Sequence, residues 1–199
     1  MSGSFPISTA QFQSLGIKSI QNTIISKSVS GKKLARQIDG QRWGFTARII
    51  TAKRSDVYGQ LMAFIIKQRS GKENFTIVPP EVEDARGTAS GTPTGTASAG
   101  DTSITLGGTG TGTLKAGDFI KFANHSKVYM VVADQSDIST GSLIIEPPLT
   151  TAVSSSNIQF DNIPFTVYLT NDIQEFGVVG ADKDGNALYQ FEFDVEEAL

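Results

Sequence analysis

The sequence predicts a mainly β (α+β) protein with one helix, in which a small closed barrel is set into a larger sheet domain made from both chain ends. Three observations carry this. Residues 87–114 hold 23 Gly, Thr, Ser or Ala in 28 positions and one charge, Asp101, a low-complexity border between patterned blocks. On either side apolar residues mostly recur at every second position, with one stretch at helical spacing. Charge divides at the same places. Residues 1–86 carry 13 Lys/Arg against 6 Asp/Glu, residues 87–162 carry 3 against 6, and residues 163–199 carry 1 against 8. The ends are therefore oppositely charged to the same extent, which fits one discontinuous domain of 1–86 and 163–199 around an inserted domain of 87–162.

The opening, residues 5–22, reads as extended or irregular, anchored by Phe12, Leu15, Ile17 and Ile20. Residues 23–29 alternate as a first strand, and Ser30-Gly31-Lys32-Lys33 is a turn. Residues 41–52 give the clearest early strand: Trp43, Phe45, Ala47 and Ile49 share one face, with Arg42, Thr46 and Arg48 on the other, so period two places the aromatic pair in a core. Ser55 reads as a helix N-cap with Asp56 in the first turn. Val57, Leu61, Phe64, Ile65 and Gln68 follow at helical spacing, with Gly71 as terminator. Residues 74–78 form another strand, ended by Pro79-Pro80.

Beyond the border come short strands at 103–106, 118–123, 127–133, 142–146 and 157–160. Five strands in so short a stretch predict an OB-like five-stranded barrel, because closure removes exposed edges. The border tract itself is expected to hold the first of these strands between flexible flanks. Residues 164–170, 174–179 and 188–195 are longer strands. In the last, Tyr189, Phe191, Phe193 and Val195 alternate with Gln190, Glu192 and Asp194. Three strands alone make a poor core, so this aromatic stripe is expected to pair with the N-terminal sheet.

Composition narrows the chemistry. At 199 residues and 39% apolar content the chain can form packed cores, and its longest apolar run, residues 61–66, is too short for a bilayer. Residues 1–6 lack a basic start and an apolar stretch, so synthesis in the cytoplasm is expected. The absence of Cys and the single His125 remove thiolate catalysis, disulfides, and paired-His or Cys metal sites. No catalytic, cofactor-binding or metal-binding residue is therefore assigned, and no cofactor. A net charge of −3 argues against nucleic acid, and Lys32, Lys33 and Arg36 read as a solvated loop face.

Four constellations were weighed against plainer roles. Asp182, Asp184 and Gly185 resemble a calcium loop, but the sixth and twelfth positions are Ala187 and Phe193 where Gly and Glu are required; an Asp-Gly hairpin turn accounts for them. Glu192, Asp194, Glu196 and Glu197 could supply the two carboxylates of a glycoside hydrolase, yet the strand's aromatics face away from Glu192 and Asp194. They read as a solvated or partner-facing acidic stripe. His125 lies between two strands without a second ligand and reads as a turn residue. Gly107 to Gly112 lacks both the Gly-Lys-Ser/Thr and the following helix of a phosphate loop.

In order along the chain, Phe5-Pro6 to Leu15-Gly16-Ile17-Lys18-Ser19-Ile20, Arg42-Trp43-Gly44-Phe45-Thr46-Ala47, and Tyr58 to Glu73 running into Phe75 to Pro80 are followed by Gly112 to Val131 and Leu143 to Leu149. This succession resembles the distal tail proteins (Dit) of long-tailed bacteriophages (siphophages), in a short form with an inserted OB-fold. The resemblance implies a β-sandwich or split-barrel ring domain and a structural, non-enzymatic role. It further implies a homo-hexameric ring in the virion, joining tail tube protein to baseplate hub protein at the tail tip and supporting fibre or collar proteins. The alternative is a host-surface carbohydrate-binding module, since OB barrels often take oligosaccharides.

Overall fold

The strand that the sequence marks most clearly is the centre of the larger sheet. In the computed structural model, which describes residues 3–7, 11–37, 40–80 and 82–199, β4 (Arg42–Ile49) is flanked by β1 (Phe12–Ile20) and by β15 (Ala187–Glu197), both antiparallel. Leu15 faces Ala47 on one side, and Val195 faces Phe45 on the other. β13 (Phe165–Leu169) and β6 (Phe75–Ile77) complete the order β1-β4-β15-β13-β6. Beyond the end of β4, the first half of β15 is flanked by β5 (Ala52–Lys53) and β14 (Phe176–Ala181). The two chain ends thus share one seven-stranded sheet.

Alternation explains which face is buried. Trp43, Phe45, Ala47 and Ile49 on β4 and Phe191, Phe193 and Val195 on β15 all lie in one apolar cluster with Phe75, Phe165 and Leu169. The opening segment is a regular strand rather than an irregular one. A register shift between Phe12 and Ser14 puts Phe12 on the face of Leu15 and Ile17, because such a bulge turns later side chains to the other face, while Ile20 lies on the opposite face over Gly44. Of the four anchors, Ile17 is exposed.

The helix is shorter and differently bounded than its pattern suggests. A π-helical turn, Arg54–Tyr58, leads into α1 (Gly59–Lys67). Ser55 caps nothing: its Oγ donates to the neighbouring Asp56 Oδ1 at 2.9 Å. Val57, Leu61 and Ile65 do form the buried stripe, and Tyr58 joins them with its hydroxyl donating to the Ile50 carbonyl at 3.0 Å. The left-handed residues after the helix are Arg69 and Ser70, at φ 54° and 59°, not Gly71. Gly71 is needed for space, since a Cβ there would sit 2.6 Å from the Leu169 carbonyl oxygen.

The barrel has six strands where five were expected. β7 (Pro93–Ala97), β8 (Ser103–Gly108), β9 (Phe119–Phe122), β10 (Val128–Val131), β11 (Ser142–Glu146) and β12 (Val153–Gln159) close in the order β10-β11-β8-β7-β12-β9. The unforeseen strand is β7, within the low-complexity tract. Its buried positions are Pro93 and Gly95, so it carries no apolar alternation to read. Gly95 is there because a Cβ would lie 2.7 Å from the Phe122 ring and 2.8 Å from Ile104. The tract's flanks are paired as well. Ser90 and Thr111 exchange backbone hydrogen bonds at 2.9 Å, and the hydroxyls of Thr88 and Thr113, Ser90 and Thr111, and Thr92 and Thr109 meet in succession across the pair.

Phe193 packs 5.2 Å from Phe5 and 5.4 Å from Phe191, ring centre to ring centre, in the middle of the sheet core. Phe193→Ala should cost about 3–5 kcal/mol of unfolding free energy, read as a lower urea midpoint with an unchanged slope.

Candidate interaction surfaces and the buried joint between barrel and sheet

Most of the acidic stripe of β15 is spent inside the sheet. Glu192 pairs with Arg48 at 3.8 Å, and Asp194 accepts from Lys18 Nζ at 3.0 Å and from the Thr46 hydroxyl. These donors hold the Asp194 carboxyl below its usual range, Thr46 contributing most. Glu196 accepts from the Tyr168 hydroxyl at 2.9 Å. The stripe therefore joins the basic N-terminal strands to the acidic C-terminal one.

Glu197 does something else. It follows Val195 on the core parity of the strand, and its side chain is fully buried. Its Oε1 accepts from the Val128 backbone N–H at 2.8 Å, and its Oε2 accepts from the Trp43 N–H at 3.2 Å and from the Lys127 ammonium. Lys127, 2% exposed at its side chain, also donates to Gln41 Oε1 at 2.9 Å. Gln41 in turn donates to Ser19 Oγ at 3.1 Å. The Trp43 indole N–H donates to the Val128 carbonyl at 2.9 Å, and the Lys127 ammonium stands 5.9 Å from the centre of its ring. Burial pushes the Lys127 ammonium below the usual lysine range, while Glu197 draws it back up.

This joint links the start of β10 in the barrel to β4 and β15 in the sheet, and apolar contacts surround it. Phe119 of β9 lies 5.0 Å from Trp43 and 5.7 Å from Phe165, both edge to face, and Phe119 and Val128 belong to the sheet's core cluster. In the sequence Glu197 groups with the exposed acids, and Lys127 carries no signal that sets it apart from a surface charge. The signal available was parity, since period two from Tyr189 puts Glu197 inward.

The remaining sequence candidates fall into place individually. Asp182 organises the turn between β14 and β15: its Oδ1 accepts from the backbone of Asp184 and Asn186 at 2.9 and 2.8 Å, with Gly185 at φ 82°. It also pairs with Lys53, the main reason its carboxyl stays ionised far below the ordinary range. His125 is half-buried. Its Nδ1 meets Asn124 Oδ1 at 2.7 Å and its Nε2 meets the Tyr129 hydroxyl at 2.8 Å. Because Asn124 Nδ2 donates to the Ala152 carbonyl, Asn124 Oδ1 accepts, so Nδ1 carries the proton and Nε2 accepts from tyrosine. Burial, aided by Lys121, lowers the imidazole pKa. Gly107 and Gly108 end β8, in a strand rather than a phosphate loop. The barrel's aromatics, Phe119, Phe122, Tyr129 and Phe160, are all buried, which leaves none as a platform for a sugar.

Two surfaces stand out. Lys33 and Arg36 sit not on a loop but on β3 (Lys33–Gln37), which pairs with β2 (Thr23–Lys27) in a two-stranded arm whose strand residues are all exposed, and Lys32 lies in the turn between them. Ile24 and Ile25 are each 57% exposed and Leu34 51%. Beside the start of β15, β14 pairs, among the described residues, only with β15 and exposes Val178 and Val179, with Ile173 just before it. Among the described residues no helix is long and apolar enough to cross a membrane.

Residues 82–163 match the family model of the distal tail protein pb9, B domain. The match contains all six barrel strands; the large sheet lies outside it. No curated protein matches the chain. The central domain is thus of the phage distal tail type. This bears out the resemblance to distal tail proteins and supports a structural role in a virion tail, in contact with other tail components.

Two outcomes follow from the joint and the histidine. Lys127→Met leaves Glu197 buried without its cation and should cost about 3–5 kcal/mol, partly recovered in Lys127→Met/Glu197→Gln. Trp43, the one tryptophan, makes its fluorescence in denaturant titrations the direct readout. The depressed His125 pKa means that the unfolded chain protonates first as pH falls through about 6.5. Stability should be unaffected by this group above that pH and decline below it. His125→Gln should flatten that part of a melting-temperature profile between pH 8 and 5.

Proposed function

We propose that this chain, with a distal-tail B domain at its centre, is a ring-forming distal tail protein. Residues 1–86 and 163–199 form the ring domain, and residues 87–162 form a barrel inserted into it and projecting outward. Six copies close a ring at the tail tip that joins the tail tube to the baseplate hub and offers the barrels to fibre or collar proteins. The family match of residues 82–163 carries this reading. It is supported by two unlike exposed surfaces, the β2–β3 arm and the β14 edge, because a closed ring requires two different complementary patches on each subunit.

The role is architectural rather than catalytic. The carboxylates that a glycosidase would use are held in structural contacts: Glu192 with Arg48, Asp194 with Lys18 and Thr46, Glu197 in the buried joint. A sugar-binding barrel is disfavoured by the burial of its aromatics.

Mass photometry and negative-stain imaging of the purified protein across a concentration series test the ring. The expected result is annular particles near six times the 21.2 kDa chain mass. A monomer at every concentration, together with absence of the protein from the tail tip of immunolabelled virions, would overturn it.

A further inference from the structure

We propose that the β2–β3 arm of one copy docks along the β14 edge of the next copy, so that the hairpin of each subunit extends the large sheet of its neighbour. This rests on the ring reading above and names its contact. A lone two-stranded hairpin is marginal in water. This one presents apolar side chains on both faces: cross-strand pairing places Ile24 and Leu34 with Arg36 on one, and Ile25 and Ala35 with Lys27 and Lys33 on the other. Both strands are wholly exposed, and among the described residues they pair only with each other.

β14 has the matching character. Among the described residues its outer edge carries no strand; Val178 and Val179 on it and Ile173 just before it are exposed. An open apolar edge of this kind is a template for an added strand.

Charge selects the partner as a second copy. Elsewhere the opposite charges of the two ends cancel within the chain, through Lys18–Asp194, Arg48–Glu192 and Lys53–Asp182. What remains is segregated. Residues 23–37 hold Lys27, Lys32, Lys33 and Arg36 with no acid, and none of the four makes an ion pair with a described residue. Asp172 and Glu175 precede β14 and Asp184 follows it, likewise without ion pairs among the described residues. The arm follows β1 at the Arg42 end of β4, whereas β14 flanks the start of β15 beyond the Ile49 end of β4, so a contact between arm and edge is made head to tail between copies.

The test is charge reversal followed by sedimentation velocity at low and high salt. Lys33→Glu/Arg36→Glu and, separately, Asp172→Lys/Glu175→Lys should each weaken self-association at least about tenfold, because like charges then face each other across the contact. Mixing the two variants, or combining all four changes in one chain, should restore assembly. Recovery in the combined chain also shows that the exposed substitutions leave the fold intact. If the wild type assembles and the reversals leave its association unchanged, or if the combined chain stays as weak as the single reversals, arm docking is wrong while the ring stands. A wild type that never associates removes arm docking, and the ring with it when the protein is also absent from the tail tip of immunolabelled virions.

Discussion

Glu197 and Lys127 come from distant parts of the chain and are buried against each other, and the relation between barrel and sheet depends on that meeting. A buried carboxylate is tolerable only when its oxygens are fully used. Here one oxygen takes the Val128 N–H from the barrel while the other takes the Trp43 N–H from the sheet together with the lysine. The contact is directional, because each donor is fixed by a strand. The apolar ring of Trp43, Phe119 and Phe165 excludes water around it. The final residues of the chain therefore set how the central domain sits.

Much of the sheet was legible because its strands alternate and their exposed faces are charged. β4 and β15 could be read residue by residue, and the opposite charges of the two ends signalled a shared sheet that Lys18–Asp194 and Arg48–Glu192 now account for. What stayed hidden lacked side-chain contrast. β7 turns Pro93 and Gly95 inward, and its requirement is for emptiness, which composition reports as low complexity. β1 was disguised by a bulge near Phe12. The helix ends were misplaced at Ser55 and Gly71 for a related reason: a π-helical turn needs no side-chain cap, and Gly71 serves a close approach to Leu169 rather than a left-handed turn.

The joint escaped for a different reason. Lys127 and Glu197 look like ordinary surface charges, and only strand parity hints that Glu197 turns inward. In the arm, the first strand and the turn are legible at residues 23–33, whereas Lys32, Lys33 and Arg36 look like a loop face, so β3 is the part that escapes. The arm's apolar residues, Ile24, Ile25 and Leu34, are spread over two faces, so no single amphipathic stripe announces it. For the joint the missing information is a neighbour distant in the chain.

The barrel leaves and rejoins the sheet at one place. Ala85 N–H bonds the Phe160 carbonyl and Ile163 N–H bonds the Glu83 carbonyl, and the flanking β6 and β13 are adjacent antiparallel strands. A mechanical load pulling the barrel away would therefore tug both strands from the same end, peeling their hydrogen bonds one at a time rather than shearing them together. Such a geometry yields at low force. Resistance to a tug on the barrel consequently falls on the lysine–glutamate clasp beside the tethers, the component that would have to rupture before the domain could swing.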